Sequence, residues 1–127
     1  MSVFAEDPGL SVRGNNMLDN IVFLRRSVLV FNYVKWRLMG LHTSGFVRIF
    51  QHVRIFRPVN VSLGRMAVLR PYVFLKAWKG RLTVGDRTVL GEYTLVDVAG
   101  SVDIGSDVLI APFCKIIDSN HAVDSEG

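Results

Sequence analysis

The chain has 127 residues, half of them hydrophobic and a fifth charged, which supports one domain with its own core and excludes a disordered polymer. The net charge of +4 hides an asymmetry: Asn20 to Arg81 holds twelve Lys or Arg and no Asp or Glu, while Leu82 to Gly127 holds eight acids against Arg87 and Lys115. Such a division suits either a surface that meets anions (phosphorylated lipids, polyphosphates, nucleic acid) or a plain solvated exterior, and the single cysteine, Cys114, excludes an internal disulfide framework.

Residues 1–16, rich in Gly, Asn and Ser, read as a flexible leader without the early apolar run of a signal peptide. Residues 17–40 read as an amphipathic helix. Met17, Ile21, Leu24, Val28, Phe31, Val34 and Leu38 succeed one another at steps of three or four and form one drifting stripe, and Gly40 is the stop. The helix has two readings: a cap over the open end of a repetitive β domain, or a membrane-surface element with Arg25, Arg26, Lys35 and Arg37 at the headgroups. Asn32, Lys35 and Arg37 interrupt its apolar run short of a membrane span.

From Val47 the helical period gives way to a period of six. Val47-Arg48-Ile49-Phe50-Gln51-His52 is succeeded at once by Val53-Arg54-Ile55-Phe56-Arg57-Pro58. Aliphatics then recur at Leu63 and Leu69, at Val84, Leu90 and Val96, and at Ile104, Ile110 and Ile116. Small or β-branched residues come four positions after most of them, at Ala67, Val73, Thr88, Thr94, Val108 and Cys114. Neither a strand of period 2 nor a helix of period 3.6 explains this, but a triangular solenoid does. Each side is a short strand with one aliphatic pointing inward, and three sides make a coil of about eighteen residues that stacks on the next. Glycines at 64, 85, 91 and 105 are expected to ease the turns through their tolerance of unusual backbone angles. The spacings Leu63 to Val84 and Val84 to Ile104 exceed one coil, so excursions are expected around Ala77–Arg81 and Ala99-Gly100. Cys114 falls on a small inward position and reads as packing. His42 and His52 have no partners at metal-ligand spacing, so no metal is expected. Phe50, Phe56, Tyr72, Phe74 and Trp78 interleave with the basic residues, but no nucleic-acid motif accompanies them, and no nucleic-acid partner is expected.

The run Leu82–Asp124 resembles the bacterial hexapeptide-repeat acyltransferases, in particular the branch with maltose and galactoside O-acetyltransferases and those of capsule, colanic-acid and lipopolysaccharide synthesis. Ile104-Gly105-Ser106-Asp107-Val108-Leu109-Ile110-Ala111-Pro112 and Asp118-Ser119-Asn120-His121-Ala122-Val123-Asp124 carry the resemblance. It implies a left-handed parallel β-helix over residues 46–127, a homotrimer, acetyl-CoA as co-substrate, and a sugar or glycan hydroxyl as acceptor in cell-surface polysaccharide synthesis. By the same resemblance His121 is the catalytic base, and Asp97, Asp118, Asn120 and Asp124 are the substrate-binding candidates. An imidazole, with an ordinary pKa of about 6.5, can take a hydroxyl proton at neutral pH. The implied location is cytoplasmic, or peripheral at the inner face of the membrane. Related enzymes continue with further coils that hold the CoA arm, so a sequence ending at Gly127 is expected to be incomplete at that site. The alternative is a non-catalytic scaffold or trimerisation module.

Overall fold

The six-residue period folds as the sides of a triangle. A computed structural model describes residues 8–118, with side chains from residue 19 onward. Helix α1 (Pro8–Leu38) leads into four coils of three strands each. The first coil is β1 (His42–Thr43), β2 (Arg48–Ile49) and β3 (Arg54–Phe56). The second is β4 (Val61–Leu63), β5 (Val68–Leu69) and β6 (Phe74–Lys76), and the third β7 (Arg81–Val84), β8 (Val89–Leu90) and β9 (Leu95–Asp97). The fourth is β10 (Ser101–Ile104), β11 (Leu109–Ile110) and β12 (Lys115–Ile117). Corresponding strands pair in parallel into three four-stranded sheets, so the chain is a parallel β-helix with an N-terminal helix.

Register fixes the coil length. Thr43 pairs with Leu63, Leu63 with Val84 and Val84 with Ile104, so successive coils advance by 20, 21 and 20 residues. The first two corners of every coil keep the spacing of six. All the extra residues fall at the third corner: a 3-10 turn at Pro58–Asn60, then bends at 78–80 and 99–100. The Asn60 amide donates to the Ala77 carbonyl one coil below at 2.8 Å and ties two of these corners together. Inward side chains stack in columns such as Ile49, Leu69, Leu90, Ile110 and Ile55, Leu75, Val96, Ile116. Those of the first three coils are buried, while Ile104, Ile110 and Ile116 pack against the core half-buried. Two threonines enter the columns of small residues, Thr88 below Ala67 and Thr94 below Val73. The buried Thr88 hydroxyl donates to the Gly105 carbonyl at 2.5 Å and accepts from the Val108 N–H at 3.1 Å, so its polar group is satisfied by the coil below.

The corners work differently from the sequence expectation. Seven residues at the tight corners (His52, Met66, Tyr72, Arg87, Tyr93, Asp107 and Phe113) take φ between 58° and 67°, and none is glycine. Among the described glycines only Gly40, where α1 ends, has a positive φ, at 108°. The corner glycines are needed for a different reason, which is close approach. A Cβ on Gly85 would lie 2.5 Å from the Gly105 carbonyl carbon and 2.5 Å from the Ser106 nitrogen. Both are backbone atoms of the coil below and cannot swing aside. Gly85→Ala is therefore expected to destabilise the fold by about 1–3 kcal/mol, as overpacking does, read from the urea unfolding midpoint.

Helix α1 brings two corrections. It is helical from the first described residue, Pro8, so residues 8–16, expected in a flexible leader, are helical. The expected apolar stripe is also not the face that packs. Ile21, Leu24, Val28, Phe31, Val34 and Leu38 are all exposed. The packed face is Leu29, Asn32, Tyr33 and Trp36, with Trp36 and Leu41 in the core and the Asn32 amide donating to the Ile49 carbonyl at 2.8 Å. The last turns of α1 thus cap the first coil, while the rest of the helix is apolar on more than one side. Helical period alone cannot say which side is used.

Candidate active site at the third corner

The extra residues of each coil collect at one edge of the triangle, where the third side hands over to the first. Loops at such an edge are where a repetitive scaffold can carry chemistry. Two of the expected site residues meet there. Asp97 closes β9, and Asp118 comes straight after β12 directly below it, its backbone N–H donating to the Asp97 carbonyl at 3.2 Å. The Asp97 carboxylate faces outward, 3.9 Å from the Lys76 ammonium on the strand above. Both are partly exposed, so the pair is worth under about 1 kcal/mol and leaves the carboxylate accessible to water.

Asp118 is used by the protein itself. Its carboxylate accepts the N–H of Ala99 at 2.5 Å and that of Gly100 at 2.9 Å, both at the third corner of the coil above. These donors, Ala99 first, hold the Asp118 carboxyl below the usual carboxylate range. Its geometry is that of a clamp joining two successive third corners. A carboxyl with a lowered folded pKa contributes stability that is full above its ordinary pKa of about 3.9 and is lost as pH falls through the folded value. Asp118→Asn, which cannot ionise and accepts through one oxygen only, is expected to lose less stability between pH 5 and pH 3 than the wild type. Urea midpoints across that range measure it. Glu92, held low by its own backbone N–H and by Arg70, and Asp107, held low by Arg87, leave a residual acid sensitivity in both proteins.

His121, Asn120 and Asp124 lie outside the described residues; the described chain ends at Asp118, at the third corner of the fourth coil. Cys114 is half-buried in the column of Val53, Val73 and Thr94, as its place in the hexad predicts. His42 is exposed on β1, and His52 stacks on Tyr72. Among the described residues no three His, Cys, Asp or Glu side chains gather in a way that could hold a metal ion.

Two arrangements are not evident from the inward pattern of the sequence. His52, Tyr72, Tyr93 and Phe113 form a ladder at one corner, with successive ring centroids 4.8, 4.8 and 5.0 Å apart and planes within 14° of parallel. Their one-coil spacing is a signal, but it lies in the outward positions of a pattern whose burial is written in the inward ones. The faces of Tyr72 and Tyr93 are covered by their neighbours, so neither ring is a platform on which a sugar or base can stack. The basic residues are similarly engaged. The Arg54 guanidinium lies 5.1 Å from the Phe74 ring, Arg70 lies 4.7 Å from Phe50 and bonds Glu92 at 2.8 Å, and Arg87 bonds Asp107 at 2.7 Å. Aromatic and charged side chains thus zip successive coils on the outside.

The chain is similar to a probable acetyltransferase of Mycobacterium tuberculosis, with 28% identity over 102 residues, covering 76% of this chain and 34% of the mycobacterial protein. The chain thus spans about a third of that relative's length. No family model matches it. No solved structure matches it either. The fold and the distant relative together fit a hexapeptide-repeat acetyltransferase.

Proposed function

We propose that this chain is part of an O-acyltransferase that moves an acetyl group from acetyl-CoA to a sugar hydroxyl in cell-surface polysaccharide synthesis, with His121 as the base. The observation that carries the reading is the similarity to a probable acetyltransferase along three quarters of a chain whose hexads fold as stacked coils. Its supports at the site are the third corner, where the extra residues of every coil collect, and the position of His121 three residues beyond the Asp118 clamp.

In this reading the His121 imidazole accepts the hydroxyl proton as the sugar oxygen attacks the thioester carbon. The C–S bond then breaks, and the imidazolium returns the proton to the departing thiolate. Holding acceptor and donor together contributes much of the barrier reduction. Asp97, Asn120 and Asp124 supply hydrogen-bond partners for acceptor hydroxyls, and Asp118 fixes the backbone that leads to the histidine. Donor binding draws on residues outside the described ones. A homotrimer and a cytoplasmic location belong to the same proposal.

The test incubates the full-length protein with acetyl-CoA and a panel of mono- and oligosaccharides, monitoring free thiol release. Release that depends on one class of acceptor is expected. Release no faster than donor hydrolysis with every acceptor would overturn the reading in favour of a scaffold or trimerisation module.

A further inference from the structure

Helix α1 presents two faces, and only one packs on the described residues. On a helix turning about 100° per residue, Leu29, Asn32, Tyr33 and Trp36 point to the coils. Phe23, Phe31, Val34 and Leu38, with Ser27 among them, point the opposite way, exposed by 68, 65, 46 and 83%. An apolar stripe aimed away from the coils, interrupted by Ser27, has no structural use within the described residues, and exposed patches of this kind mark contact sites.

The charges beside the stripe indicate what it meets. Arg26 and Arg37 fall along one edge of it, with Asp19, the one acid of α1, beside them, and Lys35 falls along the other. A further cleft of about 720 Å³ between α1 and the first two coils is lined by apolar side chains together with Arg25, Arg26 and Arg48, and with Arg70, which is paired with Glu92. No described helix is long and apolar enough to cross a membrane. An apolar face bordered by cations is the pattern of a helix lying in a bilayer interface, its apolar side among the acyl chains and its cations at anionic headgroups. A second copy fits less well, because self-association would set the same cations against each other.

We infer that α1 docks this protein on an anionic lipid surface through Phe23, Phe31, Val34 and Leu38, with Arg26, Lys35 and Arg37 at the headgroups. This inference stands without the proposed activity. The coils would then hang below the membrane plane from the Trp36 cap, which holds the helix to the solenoid.

Cosedimentation of the full-length protein with vesicles tests it, using phosphatidylcholine alone and phosphatidylcholine mixed with phosphatidylglycerol. Binding at least about tenfold tighter to the anionic vesicles is expected. The double variant Phe23→Glu/Phe31→Glu is expected to lose about tenfold or more of that binding. Both side chains lie outside the core, so its circular dichroism and thermal midpoint are expected to match the wild type. Three results would overturn the inference: no binding to anionic vesicles, equal binding by wild type and a folded double variant, or self-association that the double variant abolishes without any vesicle binding. The last would assign the stripe to a second copy.

Discussion

His121→Ala is expected to lower the rate of acyl transfer by about a hundredfold or more, with a much smaller effect on the KM for either substrate. The magnitude comes from the chemistry. A sugar hydroxyl is a poor nucleophile until its proton leaves, and removing a positioned base removes a contribution realised only in the transition state. A kcat for His121→Ala within a few-fold of wild type, on a protein that transfers acetyl groups, would remove the base assignment and leave the enzyme reading standing. Thiol release in steady state, measured for both proteins, separates the two.

The largest effect on stability is expected in the middle of the solenoid. Leu69 is fully buried and stacks between Ile49 above and Leu90 below. Leu69→Ala is expected to cost about 2–5 kcal/mol, because it removes transfer free energy and opens a cavity that neighbouring coils cannot both close. That is a large share of the roughly 5–15 kcal/mol that holds a domain together. Each coil contacts only its neighbours, so the loss weakens two interfaces at once. Val68→Ala, one residue earlier on β5, offers a comparison. Val68 points outward and is half-buried, so its truncation is expected to cost well under half as much. Urea unfolding of the two variants measures both. Equal losses would mean that inward burial is not what holds the coils together.

The period of six is legible because burial repeats along the chain. Every inward aliphatic from Ile49 to Ile116 writes one mark per side, and only a three-sided coil turns that spacing into a closed core. The excursions beyond eighteen residues are legible for the same reason: Leu63 to Val84 and Val84 to Ile104 are too far apart for one regular coil, and the structure places the surplus at the third corner each time. Cys114 can be assigned to packing because its place in the hexad is shared with residues that have no chemistry. The candidate site is legible only through the resemblance around Asp118–Asp124. The residues themselves have no period to betray a role.

Other features need the third dimension. Glycine at position 85 looks like a turn residue in a sequence, and only the 2.5 Å approach of the next coil shows that it is there to keep space empty. The left-handed corners fall instead on residues such as His52, Tyr72, Tyr93 and Phe113, whose rings stack on one another. Asp118 reads as a substrate ligand beside a histidine, yet its oxygens are occupied by two backbone N–H groups of the preceding coil. Helix α1 is the sharpest case. Its sequence is apolar around much of its circumference, so period alone selects a stripe that the fold leaves in the open, while Trp36 and Tyr33 pack on the coils. Sequence determined that this chain builds a triangular solenoid behind a helix, because burial pattern is local and repetitive. Which face of the helix packs, which glycines are irreplaceable and which carboxylate is already engaged are decided by contacts between residues far apart in the chain, and no local pattern encodes those.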